Sequence, residues 1–229
     1  MIFIGFLKFC LQKNKVTARI LAVADCTGHG VPGAFMSLIG NGLLNEIVGQ
    51  RRIIEPKLIL KELHEGIRQL LRQDKKTKIG KTEQVNQDGM DISVCLIVKN
   101  EEEKNQTNDF KVVFAGAKRP MYYTQNGELK TLKGTRKSIG GRQKEEERTF
   151  EQEVFEVEKN EIIYLFTDGM ADQNNENMER IGSQNLFAFI DSVKEENLAT
   201  QKQKLEQFLD NHQGNQDQRD DITFLMAKV

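Results

Sequence analysis

The stretch Val16-Thr-Ala-Arg-Ile-Leu-Ala-Val-Ala-Asp-Cys-Thr-Gly-His-Gly-Val-Pro-Gly33 decides how the chain is read. Residues 16–24 are mostly β-branched or small and apolar, the composition of a buried strand. The strand ends at Asp25, and Gly28-His29-Gly30 then breaks the pattern. Pro32 suits the first turn of a helix. Beyond it Phe35, Leu38, Ile39, Leu43, Leu44 and Ile47 recur at helical spacing. The unit is a strand that delivers a carboxylate to its rim and passes at once into a helix.

On the C-terminal side, Leu58, Leu60, Leu63, Ile67, Leu70 and Leu71 predict a second helix over 55–72, followed by a polar, exposed loop over 73–88. Strands are predicted at 92–98, 110–115, 121–124 and 129–132, the last two flanking the hairpin signal Asn126-Gly127. Further strands are expected at 154–157 and 162–167, two helices between 184 and 210, and a closing strand at 222–229. Asn/Gln-rich patches at 105–108, 173–177 and 211–218 read as loops. Sequential strands joined by hairpins imply antiparallel sheet, hence an α+β fold. On the N-terminal side, residues 1–11 are apolar but fall short of the roughly 20 needed to cross a bilayer. They read as an edge strand or as the cut end of a longer protein.

The chain has 229 residues, enough for one large domain, with 38% hydrophobic and 29% charged residues. A net charge of −1 leaves no basic footprint for nucleic acid or an anionic membrane. Glu101-Glu102-Glu103 and Glu145-Glu146-Glu147 read as solvated loops. Cys10, Cys26 and Cys95 form no CxxC pair, and His29, His64 and His212 are scattered. That pattern speaks against a disulfide framework and a zinc site, and for a reduced, cytoplasmic setting.

Three aspartates share one context. Asp25 closes its apolar strand, Asp168 follows Ile162-Ile-Tyr-Leu-Phe-Thr167, and Asp220-Asp221 precedes Ile222-Thr-Phe-Leu-Met226. One such residue reads equally well as a turn cap. Three of them, each at the edge of an apolar strand, favour a shared centre. Converging carboxylates repel one another unless a cation neutralises them. Ligation by oxygen alone suits Mg²⁺ or Mn²⁺, and a pair of such ions can clamp a phosphoryl group. His29, between two glycines, reads as a loop residue. Gly28, Gly30 and Gly33 lack the spacing of a phosphate loop.

Ala24-Asp-Cys-Thr-Gly-His-Gly-Val-Pro-Gly-Ala-Phe-Met-Ser37 closely resembles the signature of SpoIIE/RsbU-like serine phosphatases, a branch of the PP2C (PPM) superfamily. The resemblance continues, in family order, through Gly89-Met-Asp-Ile-Ser93, Phe114-Ala-Gly-Ala117 with Pro120, and Ser138-Ile-Gly-Gly141. Leu165-Phe-Thr-Asp-Gly-Met-Ala-Asp-Gln173 and Gln218-Arg-Asp-Asp-Ile-Thr223 complete it.

The resemblance implies a four-layer α-β-β-α sandwich of two antiparallel sheets flanked by helices, as a single domain over 1–229. It implies hydrolysis of phosphoserine or phosphothreonine on a phosphoprotein, with two Mn²⁺ or Mg²⁺ ions. By the same resemblance Asp25 bridges both ions, with the Cys26 backbone carbonyl as an added ligand. Asp168 and Asp220 hold the second ion, and Asp221 is a further candidate ligand. The helices at 31–49 and 55–73 resemble a regulatory switch pair used for activation, and imply a homodimer. The family also commonly places this domain after a sensor domain, and none is present in this chain. The chain departs from the family at a Gly-Asp pair expected before the first signature. The comparable stretch is Gly5-Phe6-Leu7, with no acid before Asp25. That implies a truncated N-terminus, or a crippled metal site and hence a catalytically impaired regulatory module. A hairpin turning at 12–15 is expected to bring Phe6 toward the rim that carries Asp25.

Overall fold

Alternation along the apolar strands sorts their side chains onto two faces, and both faces are buried. The computed structural model describes residues 2–11, 16–74, 77–79, 82–84, 86–100 and 110–229. The expected turn at 12–15 and the segments 101–103 and 105–108 lie outside the described residues. The chain begins with β1 (Ile2–Leu11) and β2 (Val16–Cys26), then α1 (Gly30–Asn45), a π-helical turn (Glu46–Gln50) and α2 (Pro56–Leu70). Next come β3 (Thr77–Ile79), β4 (Thr82–Gln84), β5 (Gly89–Asn100), β6 (Phe110–Ala117), β7 (Met121–Gln125) and β8 (Glu128–Leu132). β9 (Ile139–Gly140), β10 (Glu153–Val157) and β11 (Ile162–Phe166) follow. α3 (Gly169–Asp172), α4 (Gly182–Val193), α5 (Leu198–Gln213) and β12 (Phe224–Lys228) end the chain.

One sheet has the order β1-β2-β5-β6-β10, with β9 paired to β5, and the other has the order β12-β11-β7-β8. Every pairing between these strands is antiparallel. β1 lies at the edge of the first sheet, where residues 1–11 were expected. Asn126 and Gly127 adopt φ of 56° and 75°, as a two-residue hairpin turn between β7 and β8 requires.

Ala18, Ile20, Ala22 and Ala24 of β2 pack with Met36 and Leu44 of α1 and Ile59, Leu63 and Ile67 of α2. The odd positions, Leu21 and Val23, face the second sheet and meet Cys95, Met121, Ile163 and Leu165. The outer face of the second sheet, with Tyr122, Tyr164 and Phe166, is covered by Leu186 and Ile190 of α4 and Leu205 of α5. The layers therefore run helix, sheet, sheet, helix, the expected α+β sandwich.

The face that α1 turns inward differs from expectation. Phe35 and Leu38 were expected against the sheet, with Met36 and Leu44 left for the second helix or a partner. Instead Gly33, Met36, Gly40 and Leu44 are the buried row, while Phe35 is 58% and Leu38 67% exposed. Half of the inward row is glycine, so a reading based on large apolar side chains selects the wrong stripe. Ile39 and Leu43 pack partly against the core, as expected. Met36→Lys therefore buries an unpaired charge and should cost about 3 kcal/mol or more. Phe35→Lys should stay within about 0.5 kcal/mol of the parent. Urea denaturation of the two variants compares them directly.

Two loop expectations also change. Residues 73–88 contain the β3–β4 hairpin, and Gln73 is buried, donating to the Asp88 carbonyl at 2.6 Å and accepting from the Gly141 amide at 2.8 Å. α5 runs on through Gln213, into residues expected to be loop.

Candidate metal centre

β2 and β5 pair so that Asp25 lies opposite Asp91. Both occupy odd positions, on the side that faces the second sheet, where the hydrophobic filling between the sheets stops. β11 arrives from the second sheet and hands its chain to Asp168, which precedes α3. The returning segment is clamped beside it. The Thr167 hydroxyl donates to the Asp221 carbonyl at 3.1 Å and accepts from the Thr223 amide at 3.0 Å. Gly169 makes this approach feasible, because a Cβ there would collide with the Asp221 carbonyl oxygen.

Carboxylate oxygens of Asp25, Asp168 and Asp220 consequently lie within 4.8 Å of one another. They line a cleft of about 560 Å³ with Thr27, His29 and Asp91. Arg119 enters from the β6–β7 turn. Its Nη2 lies 3.4 Å from Asp25 and 3.3 Å from Asp91, and its Nη1 lies 2.6 Å from Asp168 Oδ2. The turn is fixed by hydrogen bonds from the Lys118 amide to the Thr135 carbonyl (2.7 Å) and from the Thr135 amide to the Gly116 carbonyl (2.8 Å). Asp91 is also held by the Ser138 hydroxyl, which donates at 2.6 Å. Arg119 Nε and Asp168 Oδ1 are buried and, among the described residues, have no hydrogen-bond partner.

This arrangement can hold a hard cation. The donor set is carboxylate oxygen, one buried acceptor on Asp168 is unsatisfied, and the acids are short of positive charge. Burial, reinforced by the negative Asp168 and Asp220, pushes the Asp25 carboxyl up to about 7 against the opposing pull of Arg119.

A sequence model of the family Stage II sporulation protein E (SpoIIE) matches residues 17–229. The chain belongs to this family. The SpoIIE-family chain matches no curated protein sequence. Among solved structures it resembles the SiaA-PP2C domain of Pseudomonas aeruginosa, at 24% identity and a TM-score of 0.73, covering 100% of this chain and 85% of that one. It also resembles the PP2C phosphatase domain of SpoIIE from Bacillus subtilis, solved with a fragment of its regulatory domain. The identity is 14% and the TM-score 0.65, over 99% of this chain and 57% of that one. A third is the catalytic domain of the serine/threonine protein phosphatase PstP in complex with two manganese ions, at 14% identity and a TM-score of 0.54, over 100% of this chain and 97% of that one. The SpoIIE-family chain thus has the PP2C fold.

Of the residues singled out in this SpoIIE-family sequence, Asp25, Asp168 and Asp220 converge. Asp221 lines the same cleft, but its carboxylate is not among the converging three. Cys26 lines the cleft too, while its side chain belongs to the core on the helix side of the sheet. Asp91, which lies in the Gly89-Met-Asp-Ile-Ser93 block, and Arg119 complete the cluster; the place of Asp91 opposite Asp25 follows from strand register. Phe6 is not at the rim. It pairs with Leu21, four residues inside the strand, and the residue opposite Asp25 is Ile2. Gly5 has a packing reason, since a Cβ there would meet the Leu44 side chain of α1.

The raised Asp25 carboxyl makes stability depend on pH. The fold binds this proton more tightly than the unfolded chain does. Its contribution is therefore complete below about pH 4 and is lost as pH rises through about 7. In chelator, the melting temperature should fall across that window more steeply for the parent than for Asp25→Asn. Parallel profiles would detach the effect from Asp25.

Proposed function

We propose that this chain is a metal-dependent protein phosphatase that hydrolyses phosphoserine or phosphothreonine. The observation that carries the reading is the convergence of Asp25, Asp168 and Asp220 at the rim between two sheets, with an unsatisfied carboxylate oxygen among them. Membership of the SpoIIE family and the PP2C fold support it, as do the manganese ions of the PstP domain.

Asp25, Asp168 and Asp220 are the residues that would hold Mn²⁺ or Mg²⁺, with the Cys26 backbone carbonyl and Asp221 as further candidate ligands beside them. When bound, such ions supply Lewis acidity and ionise water at neutral pH. The chain supplies the rest. Lys118 and Arg119 offer N–H donors to phosphoryl oxygens at the cleft. Arg119, held by three acids, fixes their positions relative to one another. Water attacks phosphorus, the bond to the serine oxygen breaks, and the serine hydroxyl leaves protonated. Burial raises the Cys26 thiol pKa, so no thiolate is assigned as a nucleophile.

The domain is assigned to the cytoplasm. Among the described residues no helix is long and apolar enough to cross a membrane. Val31, Phe35 and Leu38 form an exposed apolar stripe on α1, which supports a homodimer formed through α1 and α2.

The test is hydrolysis of a phosphoserine peptide by the metal-free protein as Mn²⁺ is added, with binding followed by calorimetry. Turnover that rises with occupancy of two ions supports the reading. Binding of one ion or none, without turnover, would indicate a catalytically impaired module.

A further inference from the structure

Beside the acidic cleft lies a second one, of about 480 Å³, which shares Thr27, Lys118 and Ser138 with it. Much of its wall comes from the irregular chain around β9, between β8 and β10. Its charge is opposite. Lys118, Arg136, Lys137, Arg142, Lys144 and Arg148 line it against one acid, Glu145. In a chain of net charge −1 this is a local concentration of cations rather than a reflection of composition.

These cations have different tasks. Arg148 is buried and is held at all three of its guanidinium nitrogens. Its Nε lies 2.7 Å from Glu145, Nη1 bonds the Ser138 and Gly140 carbonyls at 2.8 and 3.1 Å, and Nη2 bonds the Arg142 carbonyl at 2.8 Å. Lys137 lies 3.5 Å from the same Glu145, and Lys118 lies 3.7 Å from Asp91. Arg136, Arg142 and Lys144 are exposed. Among the described residues their side chains have no hydrogen bond or ion pair. The floor beneath them is rigid. The Gly140 amide donates to His64 Nδ1 at 3.0 Å, His64 Nε2 meets Gln143 at 2.8 Å, and Arg68 bonds the Gly141 carbonyl at 2.6 Å. Uncommitted cations on a fixed backbone form a preorganised surface for anions.

We propose that this basic cleft selects the substrate by binding Asp and Glu residues that flank the phosphoserine, so that the preferred substrate is an acidic phosphopeptide. The inference rests on the phosphatase reading of the adjoining cleft. A phosphoserine bound there places its neighbours at about 3.3 Å per residue of extended chain, so residues a few positions away reach the basic cleft. Arg136, Arg142 and Lys144 attract carboxylates and lie in the cleft that adjoins the metal centre. Their position beside the centre therefore fixes which way an acidic peptide lies. Such complementarity acts on selection and on encounter rate more than on the chemical step.

The experiment uses phosphoserine peptides carrying Glu or Gln at the four positions before, or the four positions after, the phosphoserine. The quantity read is the ratio of kcat/KM for the Glu peptide to that for the matched Gln peptide within one protein, so losses in the chemistry cancel. We expect a ratio of about ten in one of the two series at low salt. It should fall to about two in the triple variant Arg136→Gln, Arg142→Gln, Lys144→Gln, and also in 0.5 M salt. Fluorescence anisotropy of the unphosphorylated Glu peptide should show the same order of affinities without any turnover. If neither series discriminates, or the triple variant discriminates as the parent does, the cleft is not a selecting site. If no peptide is hydrolysed yet binding still weakens in the variant, the phosphatase reading fails while the cleft's affinity for acidic chain stands. A fluorescein-labelled single-stranded oligonucleotide is the counter-probe. Binding as tight as that of the acidic peptide, lost equally in the variant, would reveal a general polyanion surface and overturn the proposal.

Discussion

Asp25→Asn is expected to lower kcat on a phosphoserine peptide by about a thousandfold or more while leaving the fold intact. The change keeps the shape of the side chain and removes the charge. Asp25 is 13% exposed and lies within reach of Arg119, Asp168 and Asp220. Its loss removes one of the carboxylates that would hold the metal. The fold should not suffer, because burial and two like charges already oppose ionisation at this position, and an amide relieves that repulsion. Asp168→Asn should act in the same direction, with weaker Mn²⁺ binding as its main symptom. Asp172 serves as the control. It pairs with Arg180 at 3.0 Å and is absent from the residues lining the cleft, so Asp172→Asn should turn over within about threefold of the parent. Near-parental turnover by Asp25→Asn at low Mn²⁺ would remove Asp25 from the centre.

Gly169→Ala should be nearly as damaging, although it touches no charge. The added methyl meets the Asp221 carbonyl oxygen, which is backbone and cannot swing aside. Either α3 or the segment carrying Asp220 must shift, and the Thr167 hydroxyl that ties the two together loses its geometry. Overpacking of this kind costs about 1–3 kcal/mol. A displacement of about 1 Å among positioned groups can cost about a hundredfold in rate. The expected result is a folded protein with a lowered melting temperature, kcat/KM down about a hundredfold and weaker Mn²⁺ binding. Parental metal affinity in Gly169→Ala would show that the spacing of Asp168 and Asp220 does not depend on this contact.

The acids that could be read from the sequence were those delivered by an apolar run in their own neighbourhood. Asp25 and Asp168 end such runs and Asp220 begins one, so strand composition alone places them at a rim. Asp91 sits in a similar strand, but its role follows from being opposite Asp25, and register between strands 66 residues apart in number is not a local property. Arg119 is further from view. It lies on a turn held by Thr135 and reaches three acids from three different strand ends. The inward face of α1 was misread because Gly33 and Gly40 carry half of it. The position facing Asp25 on β1 was misplaced by four residues: with Leu11 paired to Val16 the register puts Ile2 opposite Asp25, whereas Phe6 was singled out from the family's Gly-Asp pair and not from that register. Antiparallel sheet and the α+β class, by contrast, followed from the succession of strands and the hairpin at Asn126-Gly127, while the four-layer order was implied by the family resemblance.

The most direct test of the central claim is hydrolysis of a phosphoserine peptide by the purified chain, first in excess chelator and then with Mn²⁺ restored, for the parent and for Asp25→Asn. The account predicts no turnover in chelator, recovery by the parent on addition of Mn²⁺, and no recovery by the variant. Full activity in chelator, or equal recovery by both proteins, would contradict it.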